Sequence, residues 1–160
     1  MTEKQIMARF QEIQEVSRQK LKGRIQGTID VKCVKVTLTP VYSLDLVYRP
    51  EEIHRNTYND VHGGITAMMA DTMMGYGAAA MIGCYVTTTD LSVSYLARMS
   101  GDAFNMHIDY NHIGKRLLNA TCRFTNPETG KICAVAQGTF YILGELGRDF
   151  DSDRQFKEND

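Results

Sequence analysis

The sequence has 160 residues, 43% of them hydrophobic, and its 18 basic and 19 acidic residues give a formal net charge of −1. A chain of this length can bury a core without disulfides or a metal. A nearly neutral chain has no overall field that attracts nucleic acid or an anionic membrane. The amino terminus lacks the apolar core of a signal peptide, and no stretch has the roughly 18 apolar residues of a membrane span. These features predict one cytoplasmic domain that binds neither nucleic acid nor membrane.

The first segment of the chain is predicted to be an amphipathic helix within residues 1–22. Thr2 and Gln5 have the spacing of a capping box. Four apolar residues then recur at helical spacing, namely Ile6, Phe10, Ile13 and Val16.

The next segments change character twice. β-Branched and aromatic residues on either side of Pro40 predict one bent strand or two short ones. From Ile65 to Met81 the chain is apolar on nearly all sides, which is typical of a helix enclosed by other structure. We expect this helix to form the buried centre of the domain.

The remainder alternates between apolar and polar residues, as half-buried strands do. Four strands are predicted, over residues 85–96, 104–111, 117–125 and 132–143. Their order predicts an α+β domain over residues 1–146, in which an antiparallel meander curves around the central helix. Residues 147–160 are polar and are predicted to form a flexible tail. The free edges of such a sheet favour pairing with a second copy.

The segment His62-Gly63-Gly64 stands directly before the central helix. The first backbone N–H groups of a helix lack partners within it and lie at the positive end of its dipole. Two glycines allow a substrate to approach this backbone closely, so the segment could bind an oxyanion. The alternative is a tight turn that needs two glycines for its own geometry.

Asp71 is the only charged residue between Ile65 and Met81. A carboxylate is costly to bury without a partner, so its presence here suggests a functional role. The alternative is a side chain that bonds to backbone or reaches solvent. Gly64, Ala67, Gly75 and Ala78 form a strip of small residues near Asp71, which either leaves room beside the carboxylate or allows close helix packing.

The spacing between these two features suggests a dimer. Asp71 lies eight residues after Gly63, which is roughly 12 Å along a helix axis at about 1.5 Å per residue. One chain therefore does not easily place both groups on one carbonyl. Two antiparallel copies of the helix could do so, and a two-fold dimer with shared sites follows.

The pattern Asn56-x5-His62-Gly63-Gly64-x6-Asp71-x3-Gly75 resembles the signature of hotdog-fold acyl-CoA thioesterases of the PaaI-like group. The resemblance continues through the following strands to about residue 143. It implies a hotdog fold, acyl-CoA as substrate, and a homodimer or a tetramer built as a dimer of dimers. Asn59 departs from the pattern, because many members carry glycine there, but asparagine also tolerates positive φ.

The resemblance also implies roles for individual residues. Asp71 matches the carboxylate that acts as general base or nucleophile and would here activate water. The Gly63 N–H and Asn56 match groups that polarise the thioester carbonyl, His62 matches a histidine near the sulfur, and Thr88 falls where some members have a serine that orients the water.

Two basic residues follow Gly114 at the start of a strand, namely Lys115 and Arg116. The resemblance implies contacts with coenzyme A phosphates, and a solvated turn is the alternative. Gly64 would belong to the stretch of backbone that binds the substrate.

Two other functions remain open at this stage. A hotdog domain can bind acyl-CoA without turnover, or it can act as an enoyl-CoA hydratase or dehydratase with His62 and Asp71 as an acid–base couple. The histidines lack a compact ligand pattern such as HExxH, so no metal or redox cofactor is expected. The four cysteines have no CxxC pair and are expected to be reduced and mostly buried.

Overall fold

The computed structural model of the protein describes residues 1–146. They form a six-stranded antiparallel sheet and two α-helices. The polar tail predicted for residues 147–160 lies outside the described residues. Among the described helices, none is both long and apolar enough to cross a membrane.

Helix α1 spans Glu3–Lys20. Thr2 caps it: its Oγ1 accepts a hydrogen bond from the Gln5 N–H at 3.3 Å, and the Gln5 side chain accepts one from the Thr2 N–H at 2.8 Å. Three of the four periodic apolar residues are fully buried, namely Ile6, Phe10 and Ile13. The predicted amphipathic helix and its capping box are therefore confirmed.

The sheet contains six strands in the order β1-β2-β4-β5-β6-β3. They are β1 (Val31–Thr37), β2 (Ser43–Tyr48), β3 (Cys84–Tyr95), β4 (Phe104–Ile113), β5 (Leu117–Thr125) and β6 (Ile132–Glu145). The segment around Pro40 is thus two strands rather than one bent strand.

The predicted four-strand meander is wrong for β3. Strands β4, β5 and β6 follow one another as hairpins, but β4 also pairs with β2, and β3 pairs with β6 at the far edge. The alternation of side chains along a strand reveals its buried face and not its neighbours. The central helix follows β2 and carries the chain across the sheet, so β3 becomes an edge strand.

The central helix, α2, spans Gly63–Ile82 and is slightly longer than the predicted 65–81. It starts after the N-cap His62 and ends at Gly83, whose φ of 70° gives a left-handed cap. Three methionine side chains of α2 are completely buried, namely Met69, Met73 and Met74. The helix is the buried centre of the domain, as the sequence predicted.

Two tyrosines from the sheet hold α2 in place. The Tyr42 hydroxyl donates to the Gly77 carbonyl at 2.9 Å, and the Tyr110 hydroxyl donates to the Met74 carbonyl at 2.7 Å. The two rings stack with centroids 4.6 Å apart. A Cβ at Gly77 would collide with the Tyr110 hydroxyl and with Leu44, so glycine is required for this close approach.

We expect Gly77→Ala to reduce the free energy of unfolding by about 1–3 kcal/mol, because the added methyl overpacks the contact between helix and sheet. Gly75→Ala is the matched control on the same helix, since a Cβ there meets only ordinary van der Waals contacts at 3.7 and 3.8 Å. It should raise stability by about 0.5–1 kcal/mol through helix propensity. Urea unfolding measures both, and equal effects from the two variants would contradict this account of the packing.

Candidate active site

Asp71 and Thr88 are brought together where α2 faces the edge strand β3. The Thr88 hydroxyl donates a hydrogen bond of 2.6 Å to Asp71 Oδ1. Asp71 is half-buried, and its Oδ2 has no hydrogen-bond donor among residues 1–146. One carboxylate oxygen is therefore fixed by the protein, while the other can accept a proton from a ligand or water.

The start of α2 leaves one backbone donor open. His62 Nδ1 accepts the Gly64 N–H at 2.9 Å, so in the neutral ring the proton is on Nε2. The Gly63 N–H has no acceptor within hydrogen-bonding distance in the described part of the chain. Of the two glycines predicted to bind an oxyanion, Gly63 therefore has the available donor, and Gly64 serves the cap.

Asn56 holds the turn that leads to this helix start. Its Oδ1 accepts the N–H groups of Tyr58 at 2.9 Å and of Asp60 at 3.2 Å. The side-chain amide group is left to donate to a ligand. Asn59 lies in the same turn with a φ of 62°, so the asparagine adopts the positive φ that it was expected to tolerate.

Two arginines tie this turn to the connection between β3 and β4. Arg98 Nε donates to the buried Asp60 at 2.7 Å, and the Arg55 guanidinium donates to the Gly101 carbonyl at 3.0 Å. The Val61 N–H also bonds to a carbonyl of that connection, at 3.0 Å. These contacts were not predicted, because partners nearly 40 residues apart leave no local pattern.

Tyr95 covers the start of α2. Its hydroxyl donates to the Gly63 carbonyl at 2.6 Å, and its ring would lie 3.3 Å from a Cβ at Gly63. This residue was not among those that the sequence predicted for the site. Its position at the end of a predicted strand gave no sign that the strand ends beside the helix start.

The two halves of the predicted site lie far apart within one chain. Gly63 and Asp71 are eight residues apart in the continuous helix α2, which separates them by about 12 Å. Asn56, His62 and Gly63 form one group, and Asp71 and Thr88 form the other. Strand β3 passes both groups, with Tyr95 at the first and Thr88 at the second.

Lys115 and Arg116 are exposed in the turn between β4 and β5. The Arg116 carbonyl accepts the Ile142 N–H at 2.8 Å, and Ile142 pairs with Val86 of β3. The turn therefore lies at the end of the sheet where β3 begins, near Thr88.

A cavity of about 860 Å³ opens beside the Asp71–Thr88 pair. Its walls come from α1, α2 and the sheet, and include Ile13, Val16, Gly75, Tyr76 and Phe140. Within residues 1–146, no group of three or more His, Cys, Asp or Glu side chains is arranged to hold a metal ion.

His54 supports the turn from beneath. It is fully buried, its Nδ1 accepts the Glu51 N–H at 3.0 Å, and its Nε2 lies 2.7 Å from the Thr28 hydroxyl. Because Nδ1 is an acceptor, the proton is on Nε2. The His54 carbonyl accepts the His62 N–H at 2.9 Å, and burial lowers the pKa of the His54 ring below its ordinary 6.5.

Comparison with known proteins relates the chain to thioesterases. A sequence model described as the thioesterase superfamily matches residues 58–133, a stretch that includes Gly63, Asp71 and Thr88. No curated protein matches the chain significantly.

Solved structures share the fold. The E. coli PaaI protein has a TM-score of 0.70 at 14% identity, over 91% of this chain and 98% of its own. A hypothetical thioesterase from Streptococcus pneumoniae TIGR4, solved with coenzyme A, has a TM-score of 0.64 at 20% identity, over 72% of this chain and 88% of its own. The protein smu.793 from Streptococcus mutans UA159, bound to acetyl CoA, has a TM-score of 0.59 at 21% identity, over 64% and 82%.

These findings confirm the predicted resemblance. The sheet and central helix have the hotdog fold, and residues 58–133 match the thioesterase superfamily. The protein is a thioester hydrolase.

The buried His54 predicts a pH dependence of stability. The unfolded chain binds a proton at His54 near pH 6.5, whereas the folded chain binds it only at lower pH. The contribution of His54 to the free energy of unfolding is thus fully present above the pKa of the unfolded chain. It is lost as the pH falls from there through the pKa of the folded chain. His54→Asn, which retains an acceptor, should flatten the acid side of the curve of unfolding free energy against pH, by at most about 1.4 kcal/mol per pH unit. Parallel curves for the two proteins would contradict this.

Proposed function

We propose that the protein hydrolyses acyl-coenzyme A thioesters, in sites that two subunits share. Asp71 and Thr88 of one subunit act on a carbonyl that is held by Gly63 and Asn56 of the other. The hydrogen bond of 2.6 Å between Thr88 and Asp71 is the observation that carries the proposal.

Asp71 would act on the attacking water. A carboxylate oxygen without a protein donor can take a proton from water, and the Thr88 bond to the other oxygen fixes its direction. The water oxygen then bonds to the carbonyl carbon, and the carbonyl electrons move to its oxygen. Collapse of this intermediate breaks the carbon–sulfur bond and releases the acid and the thiolate, and the proton that Asp71 took from the water passes through solvent to complete the thiol. In the alternative route, Asp71 attacks the carbonyl carbon itself and expels the thiolate, which takes a proton from solvent. Water then hydrolyses the anhydride to the acid and restores Asp71.

Gly63 would stabilise the oxyanion. Its N–H is open, and the carbonyl of the same peptide unit, that of His62, accepts bonds from the Thr66 N–H at 3.0 Å and the Thr66 hydroxyl at 3.3 Å. Such bonds polarise the peptide and strengthen its N–H as a donor. The Asn56 amide adds a second donor. The His62 Nε2–H, whose tautomer is set by the Gly64 bond, would donate to the leaving sulfur.

A second subunit would complete each site. About 12 Å separates Gly63 from Asp71 in one helix, and β3 is an edge strand whose outer backbone groups are available for pairing. Antiparallel pairing of two β3 strands would bring the Thr88 end of one close to the Tyr95 end of the other. The same symmetry makes two equivalent sites.

Two observations support coenzyme A as the thiol part of the substrate. Two proteins of this fold were solved with coenzyme A or acetyl CoA. Lys115 and Arg116 also supply two exposed positive charges at the Thr88 end of the sheet, where phosphates could bind.

We expect Asp71→Asn to lower kcat/KM for acyl-CoA hydrolysis by about 10²- to 10⁴-fold, because the base is lost. Thr88→Ala should cost about tenfold or more, since it removes a hydrogen bond to a charged group. Thr87→Ala is the matched control, because Thr87 is the adjacent exposed residue of the same strand and points to its other face. Release of free thiol measures all three.

Two results of this assay would reject the proposal. If the wild-type protein releases no thiol from any acyl-CoA but binds it saturably, the protein is a binding domain. Hydration of enoyl-CoA without thiol release would make it a hydratase instead.

The shared site can be tested by mixing inactive variants. Gly63→Pro deletes the proposed N–H donor at a helix position that tolerates proline, and His62 already has the extended ψ of 136° that a following proline requires. Gly63→Ala controls for the new contact with Tyr95, because it keeps the N–H. Each of Gly63→Pro and Asp71→Asn should be inactive alone. Random reassortment in equal amounts should restore about a quarter of the wild-type activity, since half of the dimers then hold one intact site. No recovery, with heterodimers demonstrated by mass spectrometry, would place both groups in one subunit's site.

A further inference from the structure

The cavity beside Asp71 lies between two antiparallel helices. Arg9 of α1 donates to the Ala80 carbonyl of α2 at 3.2 Å, and further along, Ser17 of α1 bonds to the Tyr76 hydroxyl. Later residues of α1 therefore contact earlier residues of α2, which lie closer to Asp71. The later part of α1 faces the Asp71 end of the cavity, and the earlier part faces the other end, near Ala79.

The cavity changes character along this direction. Near Asp71 its walls include polar side chains from the end of α1 and the following segment, namely Lys20, Arg24 and Gln26. Beyond Gly75 the walls are mainly apolar, with Ile13 and Val16 from α1, Ala79 from α2, and Val86 from the sheet. The Asp71 end of the cavity is therefore polar, and the Ala79 end suits a hydrocarbon.

The depth of the cavity sets the length of chain that fits. The α2 residues in its wall run from Asp71 to Ala79, eight residues that span about 12 Å at roughly 1.5 Å per residue. An extended chain advances about 3.6 Å per three bonds, so about ten bonds fill this depth.

We propose that the cavity holds the acyl chain of a medium-chain acyl-CoA, with α1 as the wall that determines chain length. This rests on the proposed hydrolysis, in which water attacks a carbonyl carbon beside Asp71. The first carbons of the acyl group must then lie next to that carboxylate, and the cavity continues from there into its apolar part beyond Gly75. Each added methylene that becomes buried should raise kcat/KM by about three- to fourfold, until the cavity is full near ten carbons.

The test fills the cavity from each helix separately. Gly75→Leu adds a side chain from α2, at a position where a Cβ is tolerated between Val86 and Phe140. Val16→Phe adds bulk from α1. Gln11→Phe is the matched control, because it introduces the same side chain at an exposed position of α1 that lies outside the cavity. The assay measures kcat/KM for saturated acyl-CoA substrates from acetyl to palmitoyl, with thermal unfolding of each variant.

We expect the wild-type profile to rise to about ten carbons and then to level off or fall. Gly75→Leu and Val16→Phe should each lower the ratio of decanoyl to butyryl kcat/KM at least about tenfold, whereas Gln11→Phe should leave this ratio unchanged. Because this ratio divides the decanoyl value by the butyryl value of the same variant, a general loss of folded enzyme does not change it.

Several results would overturn the inference. Hydrolysis with a flat profile, or with acetyl-CoA preferred, would reject the medium-chain cavity and leave the proposed hydrolysis intact. The same holds if the cavity variants lower all chain lengths equally, or if Gln11→Phe shifts the ratio as much as they do. No hydrolysis at any chain length would reject the proposed function, and the acyl cavity with it.

Discussion

The hydrogen bond between Thr88 and Asp71 solves a problem that the fold itself creates. A helix enclosed by a curved sheet has to be apolar on nearly all sides, and a carboxylate in such a helix needs a partner. Asp71 lies where the edge strand β3 supplies a hydroxyl at 2.6 Å. Because β3 ends the sheet, no other strand within residues 1–146 covers the second carboxylate oxygen. A structural requirement and the group proposed to activate water therefore coincide at one position.

The rotation of α2 about its axis is what keeps this contact in place. The carbonyls of Met74 and Gly77 are bonded by the stacked Tyr110 and Tyr42. At about 3.6 residues per turn, these positions lie nearly opposite the side of α2 that faces the cavity. A helix that turned away from the tyrosines would lose both bonds and would move Asp71 out of reach of Thr88. Core packing and site geometry are thus one constraint, and Gly77 is the residue that makes the close approach possible.

Local patterns in the sequence predicted most of the elements and drew attention to the carboxylate that is proposed to act on water. The apolar run marked α2, the periodicity of Ile6, Phe10 and Ile13 marked α1, and Asp71 stood out as a lone charge. The place of β3 in the sheet could not be predicted. The alternation of apolar and polar residues indicates which face of a strand is buried, but it does not indicate which strands lie beside it. For the same reason, the bonds of Arg98 to Asp60 and of Tyr95 to Gly63 became visible only in three dimensions. These contacts determine how the helix start is held, and none of them leaves a repeating signal along the chain.

The sheet and the amino-terminal helix contribute to different parts of the proposed function, namely the chemistry and the choice of acyl chain. A curved sheet can cover only part of the circumference of the helix it surrounds, and α1 covers much of the rest. The space left between α1 and α2 is the cavity that begins at Asp71. The match to the thioesterase superfamily covers residues 58–133, which include Asp71 and Thr88 but exclude α1. Most groups proposed for the chemistry, namely His62, Gly63, Asp71 and Thr88, therefore lie in the matched segment, with Asn56 two residues before it. The outer wall proposed to select the acyl chain lies well outside it. A change in α1 could then alter the preferred substrate without disturbing the bond between Thr88 and Asp71.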